Sequence, residues 1–253
     1  MQNPQHIAIT GASSGIGAAL ALSYAGRGIT LALHGRDSDR LALVAQRVRA
    51  CGAVAVTAPG DVTDRLGMAQ WLEERSKASP LDLVIANAGI SAGTGSGGET
   101  QDQVEQIFAV NVQGVFNTVH AALPAMVQRG AGQIAIMASL AGFRGLPGCP
   151  AYSASKAAVR VYGEALRGEL AVNGVQISVI CPGYIKTPMT AVNKFTMPFL
   201  MDADRAALII KKGLERNRAR IAFPFPLYAA VRLLATLPTG LTDKFMSRLP
   251  KKP

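Results

Sequence analysis

Short apolar runs alternate with longer helical patterns through most of the chain, and this alternation limits the fold more than any other feature. Each run has the length of a buried strand, and a stretch with helical periodicity follows before the next run. The predicted strands cover residues 6–10, 29–34, 53–57, 81–86, 133–138, 175–181 and, as an edge strand, 220–223. Strands that alternate with helices form a parallel sheet. The sequence therefore predicts an α/β protein with a doubly wound parallel sheet of about seven strands and helices on both faces.

The chain has 253 residues, of which 49% are hydrophobic, and can bury the core of one large domain. We therefore predict a single domain over residues 1–253. The N-terminus runs into the first strand without the features of a signal peptide, and no uncharged apolar run reaches the roughly 18 residues of a membrane span. Cys51, Cys149 and Cys181 lie far apart without metal-ligand spacing, which predicts reduced thiols and no metal site. These features predict a cytoplasmic location.

The first predicted strand runs into Gly11, Gly15 and Gly17, and then into a helix rich in alanine and leucine. Glycine lets the backbone turn sharply and approach a ligand, and a helix N-terminus offers free N–H groups to phosphate. The spacing is Gly-x3-Gly-x-Gly rather than the better-known Gly-x-Gly-x-x-Gly, and a tight turn alone would also explain it. Its position between the first strand and the first helix favours nucleotide binding.

The end of the second strand indicates which nucleotide is bound. In dinucleotide-binding folds an acidic residue near this point holds the ribose 2′-hydroxyl of NAD. Here the place of that acid falls on Gly35, and Arg36 and Asp37 follow. The Arg36 guanidinium suits a 2′-phosphate by charge and by geometry, so NADP(H) is predicted in preference to NAD(H). The nearby Asp37 weakens that preference, and an exposed arginine at a helix start is the alternative.

Tyr152 and Lys156 stand one helical turn apart in a helix of small residues that opens near Pro150. This spacing places both side chains on one face, with Cβ atoms about 5–6 Å apart. Because an ammonium beside a phenol favours the phenolate, we predict that Lys156 lowers the pKa of Tyr152 towards neutral pH, where a proton donor works best. Ser139 ends the fifth strand, and the loop after it would return it beside Tyr152 to hydrogen-bond the same substrate oxygen.

Residues 102–129 are predicted to form one long helical stretch with Asn111 inside it. Asparagine is a poor interior helix residue because its side chain competes for backbone hydrogen bonds. The sequence therefore indicates a structural or functional reason for Asn111.

With these motifs in this order, the chain resembles the short-chain dehydrogenase/reductase family in its single-domain form. The resemblance spans about residues 5–190. It depends on Thr10-Gly11-x3-Gly15-Ile16-Gly17, Asp61-Val62, Asn87-Ala88-Gly89, Asn111, Ser139, Tyr152-x3-Lys156 and Pro182-Gly183-x3-Thr187. The visible departure is Ala86, where many members have a second asparagine.

The resemblance implies a Rossmann-like fold and an NAD(P)(H)-dependent oxidoreductase that interconverts a carbonyl and a primary or secondary alcohol. It implies that Tyr152 exchanges the proton of the substrate oxygen, that Lys156 lowers the Tyr152 pKa and holds the nicotinamide ribose, and that Ser139 orients the substrate. Asn111 would anchor a water that connects Lys156 to solvent.

The resemblance also implies where the cofactor lies. Asp61 and Val62 would contact the adenine, residues 87–89 would line the adenosine ribose, and residues 182–187 would cover the nicotinamide. The complete set of predicted cofactor-binding residues is Gly11, Ser13, Ser14, Gly15, Ile16, Gly17, Arg36, Asp61, Val62, Asn87, Ala88, Gly89, Tyr152, Lys156, Pro182, Gly183, Ile185 and Thr187.

Two segments near the predicted site carry no matching motif. Residues 91–98 are glycine-rich and are predicted to form a mobile loop beside the site, with an ordinary surface loop as the alternative. Residues 191–200 are predicted to form a substrate lid. Their apolar content favours an apolar or bulky substrate, although ordinary packing would explain it equally well.

The net charge of +10 belongs mostly to the C-terminal quarter, residues 186–253. Residues 1–185 hold 13 Lys/Arg and 12 Asp/Glu, whereas residues 186–253 hold 13 and 4. Within this quarter, residues 227–237 carry Arg232 as their one charge, and a helix that is apolar on every side needs cover on every side. That cover is an intrachain lid over the substrate cleft, a second subunit of a homodimer or homotetramer, or the anionic inner face of a membrane.

Two other functional classes are consistent with parts of the sequence. A nucleotide-binding regulator or scaffold with the same fold would be free to lose a catalytic residue, and the complete set of Asn111, Ser139, Tyr152 and Lys156 argues against that class. The basic charge alone suggests nucleic acid, but no aromatic platform or recognition motif accompanies it, so no nucleic-acid partner is predicted. The sequence predicts an NADP(H)-dependent carbonyl reductase or alcohol dehydrogenase with a small-molecule substrate.

Overall fold

The computed structural model of the chain describes residues 3–91 and 98–248. Most of the glycine-rich segment 91–98, which the sequence predicts to be mobile, therefore lies outside the described residues, as do the last basic residues of the C-terminal quarter.

Nine strands are present in the described part of the chain, seven of them in one parallel sheet. They are β1 (His6–Thr10), β2 (Thr30–Gly35), β3 (Val54–Pro59), β4 (Leu83–Ala86), β5 (Gly132–Met137), β6 (Val175–Pro182), β7 (Ile185–Lys186), β8 (Met201–Asp202) and β9 (Arg220–Phe223). The order in the large sheet is β3-β2-β1-β4-β5-β6-β9, and β7 pairs with β8 separately. The strand order therefore reverses between β1 and β4. In open α/β sheets, ligands bind at such a point, outside the carboxyl ends of the strands.

The helices lie between the strands along the chain. They are α1 (Gly15–Tyr24), α2 (Ser38–Ala50), α3 (Arg65–Ala78), α4 (Gln101–Phe108), α5 (Gly114–Arg129), α6 (Pro150–Leu170), α7 (Pro188–Ala191), α8 (Ala203–Glu215), α9 (Phe225–Thr236) and α10 (Thr239–Met246). Single-turn helices cover Leu140–Gly142 and Ala171–Asn173.

Both faces of the sheet are buried, because neighbouring residues of each strand point to opposite sides. In β1, Ile7 and Ile9 pack into a cluster with α1, α2 and α8, whereas Ala8 joins a second cluster with α3, α5 and α6. This two-sided burial explains why the strands are continuous apolar runs. The parallel sheet with helices on both faces confirms the predicted doubly wound, Rossmann-like α/β fold.

The fourth strand begins two residues later than the sequence predicts. The carboxylate of Asp82 accepts hydrogen bonds from the backbone N–H groups of Gln5 and His6 at 2.8 and 3.1 Å. It ties the entry of β1 to the entry of β4. Asp82, the polar residue within the predicted strand 81–86, therefore links two strands.

The predicted helix over 102–129 is interrupted. A five-residue π-helix, Ala109–Gln113, separates α4 from α5 and contains Asn111. π-Turns of this kind are rare and are frequently found at functional sites. The wider turn directs the Asn111 side chain inward, where it is fully buried.

The segment predicted as a lid is held at both ends. Strand β7 pairs with β8 through Ile185↔Met201 and Lys186↔Asp202, so residues 187–200 leave and re-enter one small sheet. Within this segment, the Phe195 ring lies 6.1 Å from the Tyr184 ring.

The C-terminal quarter folds back on its own chain. In α9, Tyr228 packs edge-on against Phe143 with ring centroids 5.5 Å apart, and its hydroxyl accepts a hydrogen bond from Arg220 at 3.1 Å. In α10, the Thr242 hydroxyl accepts from Arg144 at 2.7 Å. Both helices thus contact the loop that joins β5 to α6. Among the described residues, no helix is long and apolar enough to cross a membrane.

Candidate active site

A cleft of about 710 Å³ opens at the carboxyl ends of the strands, at the point where their order reverses. It collects most of the residues that the sequence singles out. Those that line it are Gly11, Ser13, Ser14, Gly15, Ile16, Arg36, Asp61, Val62, Asn87, Ala88, Gly89, Ser139, Tyr152, Lys156, Pro182, Gly183, Ile185 and Thr187. Of the predicted residues, all of which are described, Gly17 and Asn111 lie behind the wall instead.

The glycine-rich turn between β1 and α1 forms one end of the cleft. Gly11 and Gly15 have positive φ angles of +65° and +55°, which favour glycine. A Cβ on Gly17 would lie 2.2 Å from the Gly11 carbonyl oxygen, so this glycine allows helix α1 to pack against the turn. The result is a helix N-terminus that faces the cleft with no acidic residue in its first turn, which suits a phosphate group.

The segment Asn87–Ala88–Gly89 is tied to the end of β1. The Asn87 side chain donates to the carbonyl oxygens of Thr10 and Gly11 at 3.0 and 3.1 Å. In return, the Thr10 hydroxyl accepts from the N–H groups of Asn87 and Ala88 at 3.1 and 3.2 Å. Asn87 therefore shapes the glycine-rich turn, a structural role that the sequence pattern alone does not reveal.

Arg36 and Asp61 line the cleft near the end of β2, which lies beside the glycine-rich turn because the Ala12 N–H donates to the His34 carbonyl oxygen at 3.0 Å. The Arg36 guanidinium stands 4.0 Å from the Asp61 carboxylate and keeps 58% of its side chain exposed. Asp37, which weakens the predicted preference for NADP(H), has its contacts within helix α2. Its carboxylate caps helix α2 by accepting from the Arg40 N–H at 2.9 Å, and it forms an ion pair with the Arg40 side chain at 3.1 Å.

Ser139, Tyr152 and Lys156 come together in the wall of the cleft. Ser139 follows β5, and its hydroxyl oxygen accepts from the Ala141 N–H at 3.1 Å, which fixes the side chain at the strand end. The Lys156 ammonium group lies 5.8 Å from the centre of the Tyr152 ring. The loop between β5 and α6 thus brings a strand end and a helix face to one place.

The predicted lowering of the Tyr152 pKa is wrong. Burial of the hydroxyl raises the pKa of Tyr152 to about 12, although part of the residue is exposed, and a hydrogen bond with Ser139 only partly offsets this effect. Burial also lowers the pKa of Lys156 to about 8. The reason is desolvation, which disfavours the charged form of both groups and is the largest cause of each shift.

The Lys156 ammonium group also has a partner inside the protein that the sequence does not predict. Its ammonium group donates to the backbone carbonyl oxygen of Met137 at 2.9 Å, and the residue is only 3% exposed. A Cβ on Gly89 would lie 3.2 Å from the Lys156 Nζ and 3.1 Å from the Asn111 Oδ1. Glycine at position 89 therefore leaves the space in which Lys156 and Asn111 approach each other.

Asn111 is held by three hydrogen bonds. Its Oδ1 accepts from the Ile90 N–H at 2.8 Å, and its Nδ2 donates to the Ile90 carbonyl at 2.9 Å and to the Ser155 Oγ at 3.0 Å. Both amide protons are therefore used inside the protein. The side chain of Asn111 fixes local geometry, and a water-anchoring role would fall to other atoms of the residue.

Several residues that line the cleft were not predicted from the sequence as site residues. They are His34, Arg40, Gly60, Ile90, Val110, Met137, Ala138, Pro188, Met189 and Thr190, together with Gly35 and Asp37 at the end of β2. Arg40 lies in the first turn of α2, directly after the end of β2, and this position could have identified it. His34 and Met137 lie at the carboxyl ends of strands β2 and β5, where ligands of parallel sheets bind. The others follow from loop paths that the sequence pattern does not determine.

Comparison with known proteins agrees with this geometry. The short chain dehydrogenase family profile matches residues 5–196. An uncharacterized oxidoreductase of Myxococcus xanthus is 39% identical over 242 residues, which cover 95% of this chain and 96% of the relative.

Two solved structures carry different nicotinamide cofactors. A short-chain dehydrogenase from Sphingobium yanoikuyae in complex with NADPH has a TM-score of 0.81 and 28% identity, over 97% of this chain and 96% of that one. A short-chain dehydrogenase/reductase from Burkholderia phymatum in complex with NAD has a TM-score of 0.83 and 26% identity, over 98% and 97%. The family match covers well over half of the chain, and the fold and motif order agree with it. The chain therefore belongs to the short-chain dehydrogenase family of oxidoreductases.

Proposed function

We propose that this protein is an NADP(H)-dependent carbonyl reductase, interconverting a ketone or aldehyde with its alcohol. The observation that carries the proposal is the convergence of Ser139, Tyr152 and Lys156 in one wall of a cleft whose far end holds Arg36. When bound, a reduced nicotinamide supplies a hydride to the carbonyl carbon. The protein then has to position the substrate and supply one proton.

Tyr152 suits the role of proton donor. Because its pKa is raised to about 12, the phenol stays protonated at neutral pH. As the carbonyl carbon gains the hydride, the oxygen becomes an alkoxide and takes the Tyr152 proton, which leaves an alcohol and a tyrosinate. In the reverse direction, oxidation of the alcohol, Tyr152 would instead begin as the base. Ser139, which lines the same wall of the cleft, would orient the same oxygen.

Lys156 would stabilise the tyrosinate through its charge. With a pKa of about 8, the ammonium form predominates at neutral pH. A positive charge close to a developing negative charge in a buried site stabilises the transition state more than it would in water.

The cofactor preference rests on the residues at the end of β2. Gly35 occupies the place of the acid that would repel a 2′-phosphate, and Arg36 and Arg40 both line the cleft there. Asp37 pairs with Arg40 and caps α2, so its charge is partly satisfied away from the phosphate position. These contacts support NADP(H) over NAD(H).

We propose that helix α9 forms a side wall of the substrate space, as an intrachain lid. Leu227 approaches Gly183, whose Cβ position lies 3.0 Å from a Leu227 methyl carbon, and Gly183 lines the cleft. Tyr228 packs on Phe143 in the loop between Ser139 and Tyr152. An apolar and aromatic wall favours an apolar or bulky carbonyl substrate.

The outer face of α9 remains open to another partner. Phe225 and Leu233 are 74% and 66% exposed, and no Asp or Glu occurs between residues 216 and 242. We propose that this face is a subunit contact in a homo-oligomer, since members of the family commonly form oligomers. The alternative contact for this face is an anionic membrane surface. Cys51, Cys149 and Cys181 are thiols rather than disulfides, which supports a reducing compartment such as the cytoplasm.

Oxidation of NADPH with a panel of ketones and aldehydes tests the proposal. We expect turnover with at least one bulky apolar carbonyl, a higher kcat/KM with NADPH than with NADH, and loss of turnover in Tyr152→Phe. If NADPH binds tightly but no carbonyl is reduced and no alcohol is oxidised, the protein is a nucleotide-binding regulator with the same fold.

A further inference from the structure

Ser155 is a buried hydroxyl residue between the predicted catalytic residues. It lies in α6, between Tyr152 and Lys156, and is 0% exposed. Its hydroxyl donates to the Tyr152 backbone carbonyl at 2.8 Å. Its oxygen accepts from the Asn111 Nδ2 at 3.0 Å. A hydroxyl has one proton and two acceptor positions, so these two bonds fix its direction.

The bond to the Tyr152 carbonyl alone would mean little. Serine inside a helix often bonds a carbonyl three or four residues back. The bond from Asn111 is different, because it comes from another element of the fold, the π-helix between α4 and α5. It joins the second turn of α6 to a residue whose other amide contacts are with Ile90.

The resulting chain of hydrogen bonds crosses the candidate site. It runs from Ile90, which lines the cleft after Gly89, through Asn111 and Ser155 to the Tyr152 main chain. Next to it, the Asn111 Oδ1 and the Lys156 Nζ lie 3.1 and 3.2 Å from the position that a Cβ on Gly89 would take. One wall of the cofactor cleft is thereby connected to the turn that carries the predicted proton donor.

We infer that Ser155 is a positioning residue, which locks Asn111 to the Tyr152 turn and so fixes Tyr152 relative to the cofactor cleft. The inference rests on the proposed function for the role of Tyr152, but the hydrogen-bond chain itself does not depend on it. A hydrophobic residue at this place would leave one buried Asn111 amide proton without its acceptor. Asn111 would then relax, and its hold on Ile90 would weaken.

Ser153 provides a matched control in the same turn of α6. It is 3% exposed, and its hydroxyl oxygen accepts from the Leu146 N–H at 3.2 Å. It therefore holds the loop between β5 and α6 rather than Asn111. The variants Ser155→Ala and Ser153→Ala each remove one buried hydroxyl, and each should release a different backbone amide.

Two measurements on the full-length protein test the inference. Amide hydrogen exchange should be roughly tenfold faster at Ile90 in Ser155→Ala and unchanged there in Ser153→Ala, where Leu146 should exchange faster instead. With a carbonyl substrate, Ser155→Ala should lower kcat roughly 10- to 100-fold, because small misplacements of a reacting group are costly. The KM for NADPH should stay within about twofold, since the phosphate and adenosine contacts lie elsewhere.

Three outcomes would overturn the inference. The first is a normal kcat in Ser155→Ala, with or without faster exchange at Ile90. The second is unchanged exchange at Ile90. The third is an equal loss of kcat, NADPH affinity and melting temperature in both variants, which would mean general loosening. If the wild-type protein reduces no carbonyl, the proposed function fails, and exchange at Ile90 still decides whether Ser155 holds Asn111.

Discussion

The first two turns of α6 follow the loop between β5 and α6, and the helix α9 contacts that loop, but the two regions are built in opposite ways. In the α6 turn, Ser155 and Lys156 are at most 3% exposed, and their polar atoms have partners inside the protein. In α9, Phe225 and Leu233 are mostly exposed, and the helix is held through a few contacts such as Tyr228 with Phe143 and Arg220.

Under the proposed function, this difference separates the residues of the reaction from the residues of substrate selectivity. Proton transfer requires fixed distances, and a buried network in which every group is satisfied provides them. A substrate wall needs only shape and apolar surface, and a weakly held helix can change without disturbing the reaction centre. Changes in the α6 turn should therefore act on kcat, and changes in α9 on KM.

The largest effect is expected for Tyr152→Phe. This variant keeps the ring and removes the proton donor, and general acid catalysis contributes roughly 10²- to 10⁴-fold. We expect kcat to fall by that factor, with an unchanged dissociation constant for NADPH measured by fluorescence titration. Turnover at a near-normal rate would mean that Tyr152 is not the acid.

A smaller effect is expected for Arg36→Ala, at the exposed end of the cleft. A charge-assisted hydrogen bond to phosphate contributes roughly 1.5–3 kcal/mol, so the dissociation constant for NADPH should rise roughly 10- to 100-fold. Binding of NADH, which lacks the phosphate, should hardly change. Arg47→Ala, an exposed arginine later in α2, serves as the control. Equal weakening of both cofactors would indicate that Arg36 packs on the adenine instead.

The pH dependence of reduction should report Lys156. Its pKa is lowered to about 8, so the ammonium form is present below that pH and is lost above it. Tyr152, with a pKa of about 12, stays protonated throughout this range. We expect kcat for reduction to be level below about pH 8 and then to fall up to about tenfold per pH unit.

Lys156→Arg is the companion variant for that profile. Arginine keeps its charge at all these pH values, so the variant should be slower but insensitive to pH between 7 and 10. A wild-type profile that stays level up to pH 10 would show that the Lys156 charge is not needed.

The sheet and most of the cleft could be predicted because they follow from local rules. Apolar runs such as His6–Thr10 and Arg220–Phe223 coincide with strands β1 and β9. The carboxyl ends of these parallel strands meet at one edge of the sheet, which places Gly11, Asn87 and Ser139 in one cleft without further information.

What could not be predicted depends on burial and on contacts between distant residues. The predicted shift of the Tyr152 pKa had the wrong direction, because sequence spacing gives the distance to Lys156 but not the desolvation of both groups. The π-helix around Asn111 follows from its partners Ile90 and Ser155, which lie 21 and 44 residues away. The placement of α9 depends likewise on side-chain contacts with Phe143 and Arg220, for which no sequence motif exists.

The smallest effects are expected in α9, where inner and outer faces can be compared. Tyr228→Phe removes the hydroxyl that accepts from Arg220 and keeps the ring on Phe143. A hydrogen bond from a charged donor contributes roughly 1.5–3 kcal/mol. Because this bond holds α9 and does not touch the substrate, only part of that energy should affect binding, and we expect the KM for a bulky ketone to rise up to about fivefold with kcat unchanged. Leu233→Ser, on the outer face, should alter neither parameter, because that side chain is 66% exposed.

Sizing and vesicle binding then identify what, if anything, covers the outer face of α9. If α9 is only an intrachain lid, Leu233→Ser behaves like the wild-type protein in size-exclusion chromatography, and neither sediments with anionic vesicles. If the face is a subunit contact, the variant elutes as a smaller species. If the face binds a membrane, the wild-type protein sediments with anionic vesicles at low salt and is released at high salt, because basic residues near such a surface contribute about 1 kcal/mol each. Leu233→Ser would then sediment less. A loss of kcat in Tyr228→Phe as large as that in Ser155→Ala would break the separation between a fixed catalytic turn and an adaptable wall.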